Sequence, residues 1–248
     1  SEIRDLQGQL SSLEKQISDA QKVEECYIED GFFHFQDTKF RLLPNIKEEP
    51  LEDSYEAHPV IVKSVDLRQN FNAIRNQGQL GSCLAFSITS IFEYILKVNQ
   101  SRESKKSTSI EIDLSESFLY YNARDMDITG DISVNSDSGS RFLPAMQSLQ
   151  KFGIALEKFC PYNENSYDIK PSEEAYLDAA DRRLIKALNV NRKTEEIKSA
   201  LADGYPVAVS LNLCKSFTST TNGFISLPTD EEVAELLTED DANKDKHS

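Results

Sequence analysis

One segment, Asn76-Gln77-Gly78-Gln79-Leu80-Gly81-Ser82-Cys83-Leu84-Ala85-Phe86-Ser87, brings a cysteine through a glycine-punctuated loop to the start of a long apolar pattern. If that pattern is a helix, Cys83 sits at its mouth, where unpaired amides and a partial positive charge favour thiolate over thiol. The thiolate is the nucleophilic form. Gly78 and Gly81 permit close backbone approach, so an acyl carbonyl can lie against the Cys83 amide. The chemistry on offer is nucleophilic attack at a carbonyl carbon. The same placement also suits a buried structural cysteine that merely begins a helix, since free cysteine is commonly buried.

Several elements must hold this loop. The spacing of Phe86, Ile88, Ile91, Phe92, Ile95 and Leu96 predicts a helix over 83–98 that lies in a core. Further helices are predicted over 116–124 behind Ser115 as an N-cap, over 140–152 with Gly153 ending it, and over 172–182. After these the pattern changes: 184–190 reads as a strand, 195–202 as a helix closed by Gly204, and 206–213 as a buried strand. Ahead of them, Ile3, Leu6, Leu10, Leu13 and Ile17 form one stripe of a helix over 1–21. The aromatic stretch 26–43, with Asp30-Gly31 and Asp37-Thr38 as turns, reads as a hairpin. Residues 44–59 hold three prolines and a run of acids, the composition of an extended strap. From 229 to 248 acidic residues and lysine dominate, which predicts a helical turn and a solvated end.

The composition narrows the function. The chain has 248 residues, 39% hydrophobic and 28% charged, which is the balance of a globular protein. Its net charge of -15, from 42 acidic against 27 basic residues, excludes nucleic-acid and anionic-membrane binding as a main role. No apolar run reaches the roughly 20 residues of a bilayer span, and no signal-peptide pattern follows Ser1. Cys26, Cys83, Cys160 and Cys214 are scattered without C-x-x-C pairs or neighbouring histidines, so no metal is expected. If Cys83 stays free, the other three cannot all pair within the chain.

The loop resembles the N-Q-G-x-x-G-S-C-W-A-F-S segment of the papain and cathepsin family, departing only at Leu84, where that family has tryptophan. The resemblance implies that Cys83 is the nucleophile and that Gln77 is the side-chain donor of an oxyanion hole, beside the Cys83 N–H. It continues along the chain. Val65-Asp66-Leu67-Arg68 is similar to V-D-W-R, Leu114-Ser115-Glu116-Ser117 to L-S-E-Q, and Gly153-Ile154-Ala155-Leu156-Glu157 and Cys160-Pro161-Tyr162 to later landmarks in the same order. It implies that Ser138 and Gly139 lie along the cleft and pair with an extended peptide. Leu80 stands where the family has a disulfide cysteine, and the partner position reads Ser136. Both halves of the bridge are missing together, and the Q-G-x-L-G-S-C form resembles bacterial members.

The implied fold is α+β, a papain-like two-lobe architecture with a helical left lobe and a β-barrel-like right lobe. Residues 1–59 are expected to be a prosegment of helix, hairpin and strap that crosses and blocks the cleft, although the E-R-F-N-I-N pattern is not found in it. Residues 60–248 are expected to be the peptidase domain. The implied function is a zymogen-form cysteine endopeptidase acting on protein or peptide substrates, monomeric, without a cofactor, in a secreted or lysosome-like compartment. Such an enzyme needs a histidine base and an orienting asparagine. His34 and His58 precede the peptidase region; His247 lies near the expected interval after Cys83 but is followed only by Ser248. The expectation is that the sequence stops just before the strands bearing both residues. The rival readings are a catalytically inactive papain-like binding module and an interaction protein built on the helix of residues 1–21.

Overall fold

The computed structural model describes residues 51–103 except 52 and 61, then 112–211, 214, 216 and 226–234, together with the backbone of three strands between 27 and 41. The predicted helix over 1–21, half of the strap and most of the acidic end lie outside these residues. The chain divides into two compact units, residues 46–210 and residues 1–45 with 211–248.

In the first unit, α1 (Cys83–Glu103) is followed by α2 (Glu116–Asp125), α3 (Phe142–Lys151), α4 (Glu173–Ala179) and α5 (Thr194–Ala202). Along α1, Ala85, Ile88 and Phe92 recur at spacings of three and four and are buried, as the periodicity requires. They share one cluster with Leu119, Tyr120 and Ala123 of α2 and with Ala145, Met146 and Leu149 of α3. Full burial of each large side chain stabilises the fold by about 1.5–3 kcal/mol. Helix α1 is thereby packed against both α2 and α3.

The helix ends follow local chemistry. Ser115 accepts from the Phe118 N–H at 3.0 Å, and Ser172 accepts from the Ala175 N–H at 3.2 Å, each satisfying an orphan donor of a first turn. Gly153 takes φ +81°, and a Cβ there would lie 2.0 Å from the Ala179 carbonyl oxygen. Only glycine lets the chain leaving α3 pass so close to the end of α4.

The strands expected over 184–190 and 206–213 do not form among the described residues. Between 51 and 211 the pairings are two isolated bridges, Ser54 with Asn189 and Leu114 with Leu156. An extended segment becomes a strand only where a neighbour takes its N–H and C=O groups. Ser54 is the only bridge partner offered to 184–211 among the described residues. The stretch after Pro206 is not buried either: Val209 is 58% exposed and Leu211 65%. The β-rich second lobe is therefore replaced, in what is described, by extended backbone around α5.

In the other unit, β1 (Tyr27–Glu29), β2 (Phe32–Phe35) and β3 (Thr38–Arg41) form an antiparallel meander. Tyr27 pairs with His34, and Phe33 with Phe40. The predicted hairpin thus gains a third strand, its connections falling at Asp30-Gly31 and just before Thr38. Thr229 opens the predicted helical turn with a capping box: the Glu232 N–H donates to Thr229 Oγ1, and the Thr229 N–H donates to Glu232 Oε2.

Candidate active site

Cys83 is the first residue of α1 and is exposed. The loop ahead of it is fastened from within and from outside. Gly78 adopts φ +62°, and its N–H donates to Asn76 Oδ1 at 2.9 Å. The Ser82 N–H donates to the Leu80 carbonyl at 2.8 Å. Gln77 is buried, with 4% exposure, and its Nε2 donates to the same carbonyl at 2.9 Å. That bond folds the Gln77 side chain along the loop that carries Cys83.

The base of the loop is held by charge. The Arg75 guanidinium lies 2.8 Å from Glu93, 2.6 Å from Asp113 and 2.9 Å from Glu116, tying the residue before Asn76-Gln77 to α1 and α2. Burial pushes the Glu116 carboxyl up to about 8 even beside Arg75, whose positive charge pulls the other way. A carboxyl raised in the folded state weakens the fold as pH climbs from the ordinary carboxylate range to about 8, because only the unfolded chain ionises there freely.

The thiol departs from the sequence expectation. The N–H groups of Leu84 and Cys83 at the helix mouth do favour the thiolate, but loss of hydration around the sulfur outweighs them, and Asp137 adds a further upward push. The Cys83 pKa is raised. The residue has an open face, and the helix mouth does not offset the loss of hydration at its sulfur.

Ser138 and Gly139 lie on the loop that Asp137 joins to the nucleophile segment. The Asp137 carboxylate accepts from the Gly81 N–H at 2.9 and 3.0 Å and from the Tyr120 hydroxyl at 2.6 Å. The Gly139 N–H donates back to the Tyr120 oxygen at 3.3 Å, and the Ser138 N–H donates to Ser136 at 2.9 Å. Both amides expected to pair with a peptide are thus engaged within the protein, and Gly139 is buried. Arg124, 1% exposed, braces the same loop through the carbonyls of Ser133, Val134 and Ser136 at 2.8–3.2 Å. Sequence reasoning missed Asp137, Tyr120 and Arg124 as organisers of the site. Only the neighbourhood of Ser138 hinted at the first.

The histidines divide differently. His58 Nε2 lies 2.7 Å from Asp203 Oδ1, and the His58 N–H donates to Ser199 Oγ at 3.0 Å. The Tyr55 hydroxyl donates to Asp203 at 2.6 Å, the Tyr55 N–H donates to the Asn189 carbonyl at 2.9 Å, and the Asn189 N–H donates to the Asp53 carbonyl at 2.8 Å. The end of the strap is therefore docked on α5. His34 lies in β2, and His247 lies outside the described residues.

A cysteine thus stands on the first turn of a long helix, with a buried glutamine folded into the loop before it. The model of the papain family cysteine proteases matches residues 61–235, and the chain belongs to that family. An uncharacterized peptidase C1-like protein of Acanthamoeba polyphaga mimivirus is 27% identical over 200 residues, which is 76% of this chain and 59% of that protein. The chain thus spans about three fifths of the length of this relative. Among solved structures, xylellain, a cysteine protease from Xylella fastidiosa, is similar with a TM-score of 0.57 and 24% identity, over 85% of this chain and 75% of that one. Digestive procathepsin L 3 from the larval midgut of Tenebrio molitor is 19% identical over 64% of this chain and 47% of its own, with a TM-score of 0.47. The likeness to xylellain carries the papain-like fold.

Proposed function

We propose that this chain acts as a cysteine endopeptidase, in zymogen form, with Cys83 as its nucleophile. The Cys83 sulfur attacks a peptide carbonyl carbon, and the oxyanion that develops is met by the Cys83 N–H and by an N–H of the Gln77 amide. The C–N bond breaks as an imidazolium gives its proton to the leaving amine. Water then attacks the thioester, the S–C bond breaks, and the acid is released. With the Ser138 and Gly139 amides engaged, the peptide pairs with this wall through their carbonyl groups. The imidazole lies outside the described residues, and His247 is the candidate the chain itself offers.

What supports this reading most is the placement of Cys83 at the first turn of α1 beside the buried Gln77, inside the span of the family match. The raised thiol pKa makes the base indispensable, and it also gives the inactive binding module its one supporting observation. Labelling by a peptidyl epoxide across pH separates the two. An enzyme is expected to label at Cys83 rapidly and almost independently of pH near neutrality, because the imidazolium holds the thiolate. An unpaired thiol with a raised pKa labels about tenfold faster for each pH unit gained, up to alkaline pH. That second profile would identify a binding module.

Residues 1–59 are proposed to act as the prosegment, with docking of Tyr55 and His58 on α5 supporting an ordered attachment. Tethered segments act at effective concentrations near millimolar. Removing residues 1–59 from the whole protein is therefore expected to raise turnover of a fluorogenic peptide by about tenfold or more. Unchanged progress curves would refute the inhibitory role.

A further inference from the structure

Tyr162 stands 85 positions from Gln77 in sequence, yet its hydroxyl donates to the Gln77 carbonyl at 2.7 Å. The same oxygen lies 2.8 Å from Ser82 Oγ. A phenol has one proton, and a carbonyl can only accept, so the second bond runs from the Ser82 hydroxyl to the Tyr162 oxygen. One atom thus touches both ends of the loop: the residue that bears the side-chain amide, and the residue immediately before the nucleophile. Ser82 is fully buried, so its only described side-chain partner is bound away from competing water.

Tyr162 is itself immobilised. Its backbone N–H donates to Glu157 Oε1 at 2.6 Å, and its ring meets Phe86 of α1 edge-on with centroids 4.9 Å apart. A pocket of about 280 Å³ borders Tyr162, Phe86, Arg75 and Asn76, so close packing does not fill the space beside this part of the loop. Between the two ends the chain contains Gly78 in the left-handed region and a second glycine, Gly81, so the loop keeps its shape through its hydrogen bonds, of which those to Tyr162 join its two ends.

Resting on the peptidase reading above, we infer that Tyr162 is a positioning residue for the oxyanion hole: its hydroxyl sets the distance between the Gln77 amide and the Cys83 N–H. It touches neither substrate nor sulfur. It acts through Gln77, and the two donors converge on one oxygen only while the phenol spans their loop.

Tyr162→Phe keeps the ring against Phe86 and removes both hydrogen bonds. In the whole protein, with a fluorogenic peptide, kcat is expected to fall about 10- to 100-fold, the loss that misplacing one donor causes. KM should stay within about threefold, and Cys83 alkylation by iodoacetamide, which needs no oxyanion hole, within about twofold. In a Gln77→Ala background the same change should cost less than about twofold, because a residue acting through Gln77 has nothing left to position. Wild-type kcat in Tyr162→Phe overturns the inference, and so does an equal loss in both backgrounds. If Tyr162→Phe does not fold, Ser82→Ala, which removes only the donor to the phenol, is read by the same cycle. Wild-type protein without Cys83-dependent turnover sinks the peptidase reading itself, an outcome distinct from an active wild type matched by Tyr162→Phe.

Discussion

Cys83→Ala is expected to abolish peptide hydrolysis, lowering kcat on the order of 10⁴- to 10⁶-fold while leaving the fold intact. The residue is exposed at the start of α1, and the helix is anchored further along by Ala85, Ile88 and Phe92, so removing one sulfur opens no cavity in the core. No neighbour can substitute for it. Cys160 is only partly exposed, and burial raises its pKa as well. The measurement is a comparison of kcat and thermal midpoint for the two proteins. Turnover that survives in Cys83→Ala with an unchanged midpoint removes the thiol from the mechanism.

The second large effect is expected at Gln77. Gln77→Ala should lower kcat about 10²- to 10³-fold, the loss found when one oxyanion donor is deleted, equivalent to about 3–4 kcal/mol of transition-state stabilisation. Charge develops on the carbonyl oxygen only as the sulfur attacks, so KM should change far less than kcat. In the resting structure the Gln77 amide donates to Leu80. Steady-state kinetics on a peptide substrate decide the matter: a change confined to KM would mean that Gln77 contributes to ground-state binding alone.

The parts of this molecule that local chemistry specifies could be read directly. Ser115 and Ser172 announce helix starts, Gly153 announces an end, and the apolar spacing after Cys83 announces a buried helix, because each signal acts within a few residues. The placement of Cys83 at a helix start was legible for the same reason, whereas Gln77 was singled out only through the family resemblance. What lay hidden depends on distant partners. Gly81 meets Asp137 across 56 positions, and Gln77 meets Tyr162 across 85. The strands expected over 184–190 and 206–213 do not form among the described residues on similar grounds: a run of apolar residues can suggest a strand, but a ladder needs a second chain segment beside it. The thiol pKa was misjudged because a helix mouth is visible in sequence, whereas the dehydration of a sulfur by surrounding atoms is not.

The Asp137 carboxylate joins the loop of Gly81 to the loop of Gly139 at the place where related enzymes use a pair of oxidised sulfurs. A thiol nucleophile works only while electron donors such as glutathione keep it from oxidation. A bridge of oxygen and nitrogen atoms is untouched by those donors. The tie between the Gly81 and Gly139 loops is therefore independent of the redox poise around the protein.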